Sequence, residues 1–332
     1  MTRSPGRAAP ALLLVIAALG AVGSAQQRKA HVIGAAGLVH GVQTLEPSLA
    51  YYRDVLGFEL LGSATEKPTF DIHVQALTNH GGVLHRTALL KIPGSTMTVQ
   101  LFEGTNGGPS SRSSPRQLTA RPTDRGGAVL GLRLPSVSDR LAAIANAQQA
   151  AVVSVGGKPV GKALVVRNRD GLVTQIVQSG EGERSTDANA DPASIALTPG
   201  DPDASIRFYR DILGFDLKTG DWEAERDVMH ALGAETGMVR RSHAFIPGTR
   251  VRFELDEYSG LSTKRAFYYY NSMPGAVTLQ LVVRDLDEFV KVLREAQVRI
   301  VTTGQQPVTL DQSRTLLIRD PDGIFIQLIE QN

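Results

Sequence analysis

The sequence predicts an α+β fold of four β-α-β-β-β modules arranged as two tandem copies, and three observations carry that expectation. First, the stretch Tyr52 to Leu60 (YRDVLGFEL) returns as Tyr209 to Leu217 (YRDILGFDL). Second, each copy runs strand, helix, strands and then repeats that order. Third, the run Ser179 to Asp191 (SGEGERSTDANAD) is polar and rich in turn formers, as a linker between copies would be. The expected domains are residues 31–180 and 192–332, joined by 181–191.

The elements follow from local chemistry. In each copy a short strand leads to a helix whose N-cap candidates are Thr44 and Asp201, with Pro202 suited to the first helical position. Apolar residues then recur at helical spacing, Leu49, Tyr52 and Leu56 in the first copy and Ile206, Tyr209 and Leu213 in the second. Gly57 and Gly214 stand where a helix end wants a left-handed residue. Further strands end at Val99 to Phe102 and Val251 to Leu255. The turns Ile92-Pro93-Gly94 and Ile246-Pro247-Gly248 precede them. The second half of each copy opens with a strand (Ala128 to Leu134; Val277 to Val283) and a helix from near Ser136 or Asp285. It closes with a hairpin around Asn168-Arg169-Asp170-Gly171 or Asp320-Pro321-Asp322-Gly323.

Ahead of the first copy, Arg3 and Arg7 precede an uncharged apolar run, Ala11 to Val22, and then the small residues Gly23-Ser24-Ala25. The run is shorter than the roughly 20 residues a membrane-spanning helix needs. It reads as a signal peptide cleaved after Ala25, giving a periplasmic or secreted protein with no stable membrane insertion. The chain has no cysteine, so disulfides, lipid attachment at a cysteine and thiolate metal ligands are excluded. A formal net charge of +2, with basic residues scattered singly or in pairs, gives no reason to expect nucleic acid.

The module order, the LGF signature after the first helix and the late hairpin together resemble the vicinal oxygen chelate superfamily. That superfamily includes glyoxalase I, bleomycin-resistance proteins, fosfomycin-resistance enzymes and extradiol dioxygenases. The resemblance covers nearly all of the chain after residue 30. It implies modules paired into two glyoxalase-like domains, each a curved mixed sheet forming a cup with helices outside.

In metal-dependent members, four side chains in the cup hold a divalent ion that acts as a Lewis acid on its substrate. Carried over by the shared signatures, the four positions fall on Gly37, Gln100, Val129 and Gln175 in the first copy, and on Ser194, Glu254, Thr278 and Gln327 in the second. None is a histidine. Glycine and valine donate nothing, so no metal is expected in the first copy. The second offers one carboxylate, one amide and two hydroxyls, which is poor for a transition metal but leaves room for a hard divalent ion.

Strand alternation tests this placement independently. On Val277 to Val283 the odd positions are apolar and should meet the helices, leaving Thr278, Gln280 and Val282 for the cup. The same rule puts Arg252, Glu254 and Asp256 in the cup from one strand, and Phe325, Gln327 and Ile329 from the last. The first copy contributes the plainer set Gly37, Val39, Val129, Gly131, Val173 and Val177.

Glu254 is the singled-out catalytic candidate, as general base or ligand-anchoring carboxylate; the alternative is a structural Arg252–Glu254 pair. Gln100, Gln175, Ser194, Arg252, Thr278, Gln280 and Gln327 are the candidate ligand contacts. His40 falls on the strand face opposite the cup, and His80 with His85 read as loop residues. Gly156 to Lys162 (GGKPVGK) nearly matches a phosphate loop but lacks the hydroxyl residue and the following helix. Trp222 and Tyr268-Tyr269-Tyr270 are read as packing residues or as a ligand mouth. Gly104 to Gly126 is a connector placed where a lid would be.

Three functions follow. The leading one is metal-independent binding of a small molecule in a cup. The others are a lyase, isomerase or oxygenase acting through Glu254, and a scaffold without chemistry.

Overall fold

A computed structural model describes residues 31–105, 122–134, 151–155, 163–178, 189–224, 237–259, 262–265 and 270–331; for 151–155, 163–164, 178 and 262–265 it describes the backbone alone. The signal segment, the helix near Ser136, the Gly156 to Lys162 loop, His230, Tyr268, Tyr269 and most of the linker lie outside the described residues.

Two large sheets carry the chain. The first runs, edge to edge, β17 (Arg299–Ile300), β19 (Ser313–Arg319), β20 (Phe325–Glu330), β16 (Val277–Val283), β1 (Val32–Gly41), β5 (Thr98–Thr105), β4 (Leu84–Lys91) and β2 (Glu59–Leu61). Off this path, β18 (Val308–Leu310) pairs with β19 and β3 (Thr69–Phe70) with β4. The second runs β12 (Lys218–Glu223), β13 (Val239–Phe245), β14 (Arg252–Tyr258), β11 (Ala193–Leu197), β7 (Ala128–Leu134), β10 (Val173–Gln178), β9 (Ala163–Arg167) and β8 (Ala151–Val155). A small ribbon pairs β15 (Ser262–Arg265) with β6 (Asp124–Arg125).

The sheets do not divide by sequence copy. The first joins the opening module of copy one to the closing module of copy two, through the antiparallel pair β1–β16. The second joins the two middle modules through β11–β7. Each sheet therefore takes half its strands from each copy.

Helix α1 (Leu45–Ala50) passes into a π-turn over Tyr51–Val55, and α3 (Pro202–Arg207) into one over Phe208–Ile212, at the same place in both copies. The caps differ. Asp201 accepts a bond from the Ala204 amide, whereas the Thr44 side chain makes no cap bond. Gly57 and Gly214 adopt φ values of 77° and 80°, the left-handed turn that ends both segments. Helix α4 (Leu286–Glu295) buries Leu286, Phe289, Val290 and Leu293. With Leu45, Tyr52, Leu56, Tyr209 and the alternate residues of both sheets, these side chains form one continuous core.

One short helix departs from the expected plan of helices on the outside. Helix α2 (Ile72–Thr78), capped by Asp71, packs on β18 and β19, where Leu77 joins Leu317 and Phe325. It crosses from the first module onto the fourth, on the sheet face away from the main core. Among the described residues, no helix is long and apolar enough to cross a membrane.

Within each copy, the first helix docks on the late hairpin turn through a buried polar joint. In copy one, Ser48 Oγ and the Gln43 amide donate to Asp170 at 2.5 and 2.9 Å. In copy two, Ser205 Oγ and the Gly200 amide donate to Asp322 at 2.8 and 2.9 Å, joined at 2.9 Å by Arg125 Nε from copy one. The joints then diverge. Tyr209 donates to Asp320 at 3.0 Å, whereas Tyr52 accepts from Asn168 Nδ2 at 3.5 Å and pairs with His40 Nδ1 at 3.0 Å.

Candidate functional site

The face of each sheet turned away from the main core is its inner face, and registers fix which side chains share it. On the second sheet one cross-strand rank reads Lys218, His243, Glu254, Ala196, Val129, Val173 and Arg167. The neighbouring rank reads Phe245, Arg252, Ser194, Gly131, Gln175 and Val165. On the first sheet the corresponding ranks are Leu89, Gln100, Val39, Thr278, Phe325 and Arg319, and Thr98, Gly37, Gln280, Gln327 and Leu317. The alternation argument therefore places the predicted residues on the expected face.

Their grouping changes. Val129, Gln175, Ser194 and Glu254 share the second sheet, and Gly37, Gln100, Thr278 and Gln327 the first. The sets expected from sequence copies are thus split, because modules pair across copies. Glu254 and Arg252 stand with Ser194 and Gln175, and away from Thr278, Gln280 and Gln327.

On the second sheet Arg252 Nε lies 2.5 Å from Glu254 Oε1, with side-chain exposures of 32% and 18%. Beyond them Arg241 Nε is 3.2 Å from Asp256, and Tyr258 donates to Asp256 at 3.3 Å. His243 stands directly opposite Glu254 across β13 and β14. Burial, with the charges of Arg252 and Lys218, lowers the His243 pKa against the opposing pull of Glu254, favouring the neutral imidazole. A Cβ at Gly131 would sit 2.1 Å from Ser194 Oγ, so only glycine lets that hydroxyl lie across the sheet floor. The site is a charged cluster beside a floor of small residues.

On the first sheet the polar groups bond to one another. Gln280 Nε2 donates to Gln327 at 3.0 Å, Gln327 Nε2 to Thr315 at 3.1 Å, and Thr315 to the Leu328 carbonyl at 3.0 Å. Thr278, Gln280, Phe325 and Gln327 are buried. Arg319 lies 4.0 Å over the Phe325 ring. His40, on the other face of β1, is buried against Tyr52.

The donor sets do not fit a divalent metal of the kind the fold family uses. One quartet offers two amides and a hydroxyl; the other offers an amide, a hydroxyl and a carboxylate already paired with Arg252. Among the described residues, no group of three or more histidine, aspartate or glutamate side chains is arranged to hold a metal ion.

His243 is the residue that sequence reasoning misses. The turn Ile246-Pro247-Gly248 fixes the β13–β14 register, so counting back from it sets His243 opposite Glu254. Of the aromatic candidates, Tyr270 is exposed and stacks on His80 at 3.6 Å. Trp222 lies beneath the Arg240 guanidinium at 5.2 Å and is 38% exposed.

Residues 192–328 match the Glyoxalase/Bleomycin resistance protein/Dioxygenase superfamily. Glyoxalase I from Zea mays is similar over 90% of this chain and 92% of its own, at 16% identity and a TM-score of 0.56. A putative dioxygenase from Bacillus subtilis is similar over 91% of this chain and 86% of its own, at 13% identity and a TM-score of 0.52. No protein of curated function matches the sequence.

Proposed function

Since residues 192–328 form a glyoxalase/bleomycin-resistance/dioxygenase superfamily domain and the chain has the glyoxalase fold, we propose that the protein binds a small polar molecule on the inner face of its second sheet, without a standard metal site. The observation that carries this reading is the cluster of partly exposed Arg252, Glu254 and His243, spread over two adjoining ranks with the small residues Ala196, Ser194 and Gly131 beside it. Ion pairs that serve stability alone need no such floor beside them. Gln175 faces Gly131 from the other side and supplies a further hydrogen-bonding amide.

A thermal-shift screen of small polar compounds tests the proposal, since a ligand that binds only the folded chain raises the melting temperature. We expect hits whose shift disappears in Arg252→Ala. Shifts that survive both Arg252→Ala and Gln175→Ala contradict it.

A second reading is catalytic, a lyase, isomerase or oxygenase step with Glu254 as base. The neutral His243 opposite Glu254 favours it, since an uncharged imidazole is able to accept or relay a proton. Undiminished turnover of a found substrate by Glu254→Gln removes that reading. Export of the mature chain after cleavage at Ala25 belongs to the same proposal, and N-terminal sequencing of the protein from the periplasm checks it.

A further inference from the structure

The chain crosses between the two sheets twice, and the two crossings are tied down differently. After β5 it reaches the second sheet through a strap, Pro122 to Gly127; after β14 it returns to the first through the counterpart, Asn271 to Ala276. Their backbone bonds match one for one. Gly126 N donates to Thr198 O and Thr198 N to Gly127 O, both at 2.9 Å. Likewise Gly275 N donates to Gly41 O and Gly41 N to Ala276 O, both at 2.8 Å. A turn closes each strap, from Gly127 N to Asp124 O at 2.7 Å and from Ala276 N to Met273 O at 2.9 Å. β6, within the first strap, also pairs with β15 of the returning chain.

The first strap adds a charged side chain that the second lacks. Arg125 Nε lies 2.9 Å from Asp322 of the late hairpin turn, with side-chain exposures of 40% and 3%. Its stem lies over Gly200, where a Cβ would come within 2.0 Å of Nε. Pro274 occupies the matching place in the second strap and has nothing to donate. When Arg125 lets go, Asp322 retains the Ser205 hydroxyl and the Gly200 amide, so release leaves no buried carboxylate without donors. The half-exposed guanidinium takes up water in exchange. Such a contact is able to open without the rest of the fold.

The strap's position gives that opening a consequence. Thr198 stands two residues beyond Ala196, continuing the series from Ser194 and Ala196 that floors the charged face. It is 3% exposed, and its hydroxyl donates to the Pro122 carbonyl at 2.5 Å. The strap thus covers the β11 end of the face that holds Arg252 and Glu254.

We propose that the strap is a gate on that face and that the Arg125–Asp322 contact is its latch, opening locally and loosened by salt. The gate's purpose rests on the charged face being a ligand site; its existence does not, and its test uses no ligand.

Hydrogen–deuterium exchange of the full chain compares wild type, Arg125→Met and Gly200→Ala, the last crowding Arg125 out of its slot with every charge kept. The Gly126 and Thr198 amides are expected to exchange at least about tenfold faster in both variants, as loss of a hydrogen bond to a charged group implies. The Gly41 and Gly275 amides of the second strap keep their rates. Salt at roughly 1 M, where screening acts within about 3 Å, speeds exchange of the first strap in wild type but not in Arg125→Met. A Thr198→Cys probe, the sole cysteine in the chain, labels with a thiol reagent faster by a similar factor once Arg125→Met is added. Should Arg125→Met fail to fold, Gly200→Ala and the salt response read the same contact. Exchange unchanged in both variants, or accelerated equally in both straps, overturns the latch. Faster exchange with unchanged labelling overturns the gate. Ligand hits on the charged face without these effects keep that site and remove the gate, whereas the effects without any hit keep the gate and count against the site.

Discussion

The two sheets share one strand plan, yet their inner faces differ in character. The first is closely packed, with Thr278, Gln280, Phe325 and Gln327 buried, the Arg319 guanidinium laid over Phe325 and α2 packed beside them. The second presents Lys218, Arg252, Glu254 and His243 around small residues, with the Arg252–Glu254 pair still partly exposed. Equivalent positions make the point residue by residue. Phe325 on the first sheet corresponds to Val173 on the second, each paired in register with a candidate ligand position, Thr278 or Val129. Duplication has kept the backbone scaffold and released the inward side chains to diverge, so that packing dominates one face and charge the other.

The sharpest way to break this comparison is to truncate the matched pair. Phe325→Ala empties a fully buried ring site in the small core with Leu77 and Leu317, and a loss of about 3–5 kcal/mol is expected. Val173→Ala removes far less buried surface and should cost about 1–2 kcal/mol. Denaturant unfolding of both variants checks the contrast; equal losses would mean the first face is no more packed than the second.

The two helix–hairpin joints extend the comparison to pH. Burial, reinforced by nearby Asp322, pushes the Asp320 pKa up to about 7 from an ordinary 3.8. The folded chain thus holds a proton that the unfolded chain releases, and stability falls as pH rises between those values. Burial, opposed by Asp170, lowers the His40 pKa from 6.5 to about 4, so stability falls as pH drops through that window.

Asp320→Asn imitates Asn168 of the other joint. It should stabilise the protein by roughly 1–3 kcal/mol at pH 8 and flatten the profile between pH 4 and 7. His40→Leu places at β1 the residue type that Leu197 supplies in copy two, and should flatten only the acid limb. Melting temperatures across pH 4 to 8 check both, and profiles unchanged in either variant would show that the joints do not titrate as their surroundings dictate.

Much of the fold is legible in the amino-acid order alone. The repeated YRD-[VI]-LGF stretch, the left-handed Gly57 and Gly214 and the hairpin turns each follow from local chemistry. The inward set on β14, β16 and β20 follows from alternation. What sequence leaves open is which module pairs with which, because the β1–β16 contact joins strands as distant in sequence as Val32 and Val283, and no local signal encodes it. That gap misgroups Glu254 with Gln327. Helix α2 escapes notice because seven residues with one deeply buried leucine give too short a period to read. His243 escapes because its role lies in its cross-strand partner and not in its neighbours along the chain.

The central claim is that Glu254 works beside Arg252 and His243 with organic ligands and not as one arm of a metal site. Isothermal titration of the dialysed protein with zinc and nickel tests it most directly. The account predicts no stoichiometric binding to wild type. One equivalent of either ion, bound by wild type and lost in Glu254→Gln, would contradict it.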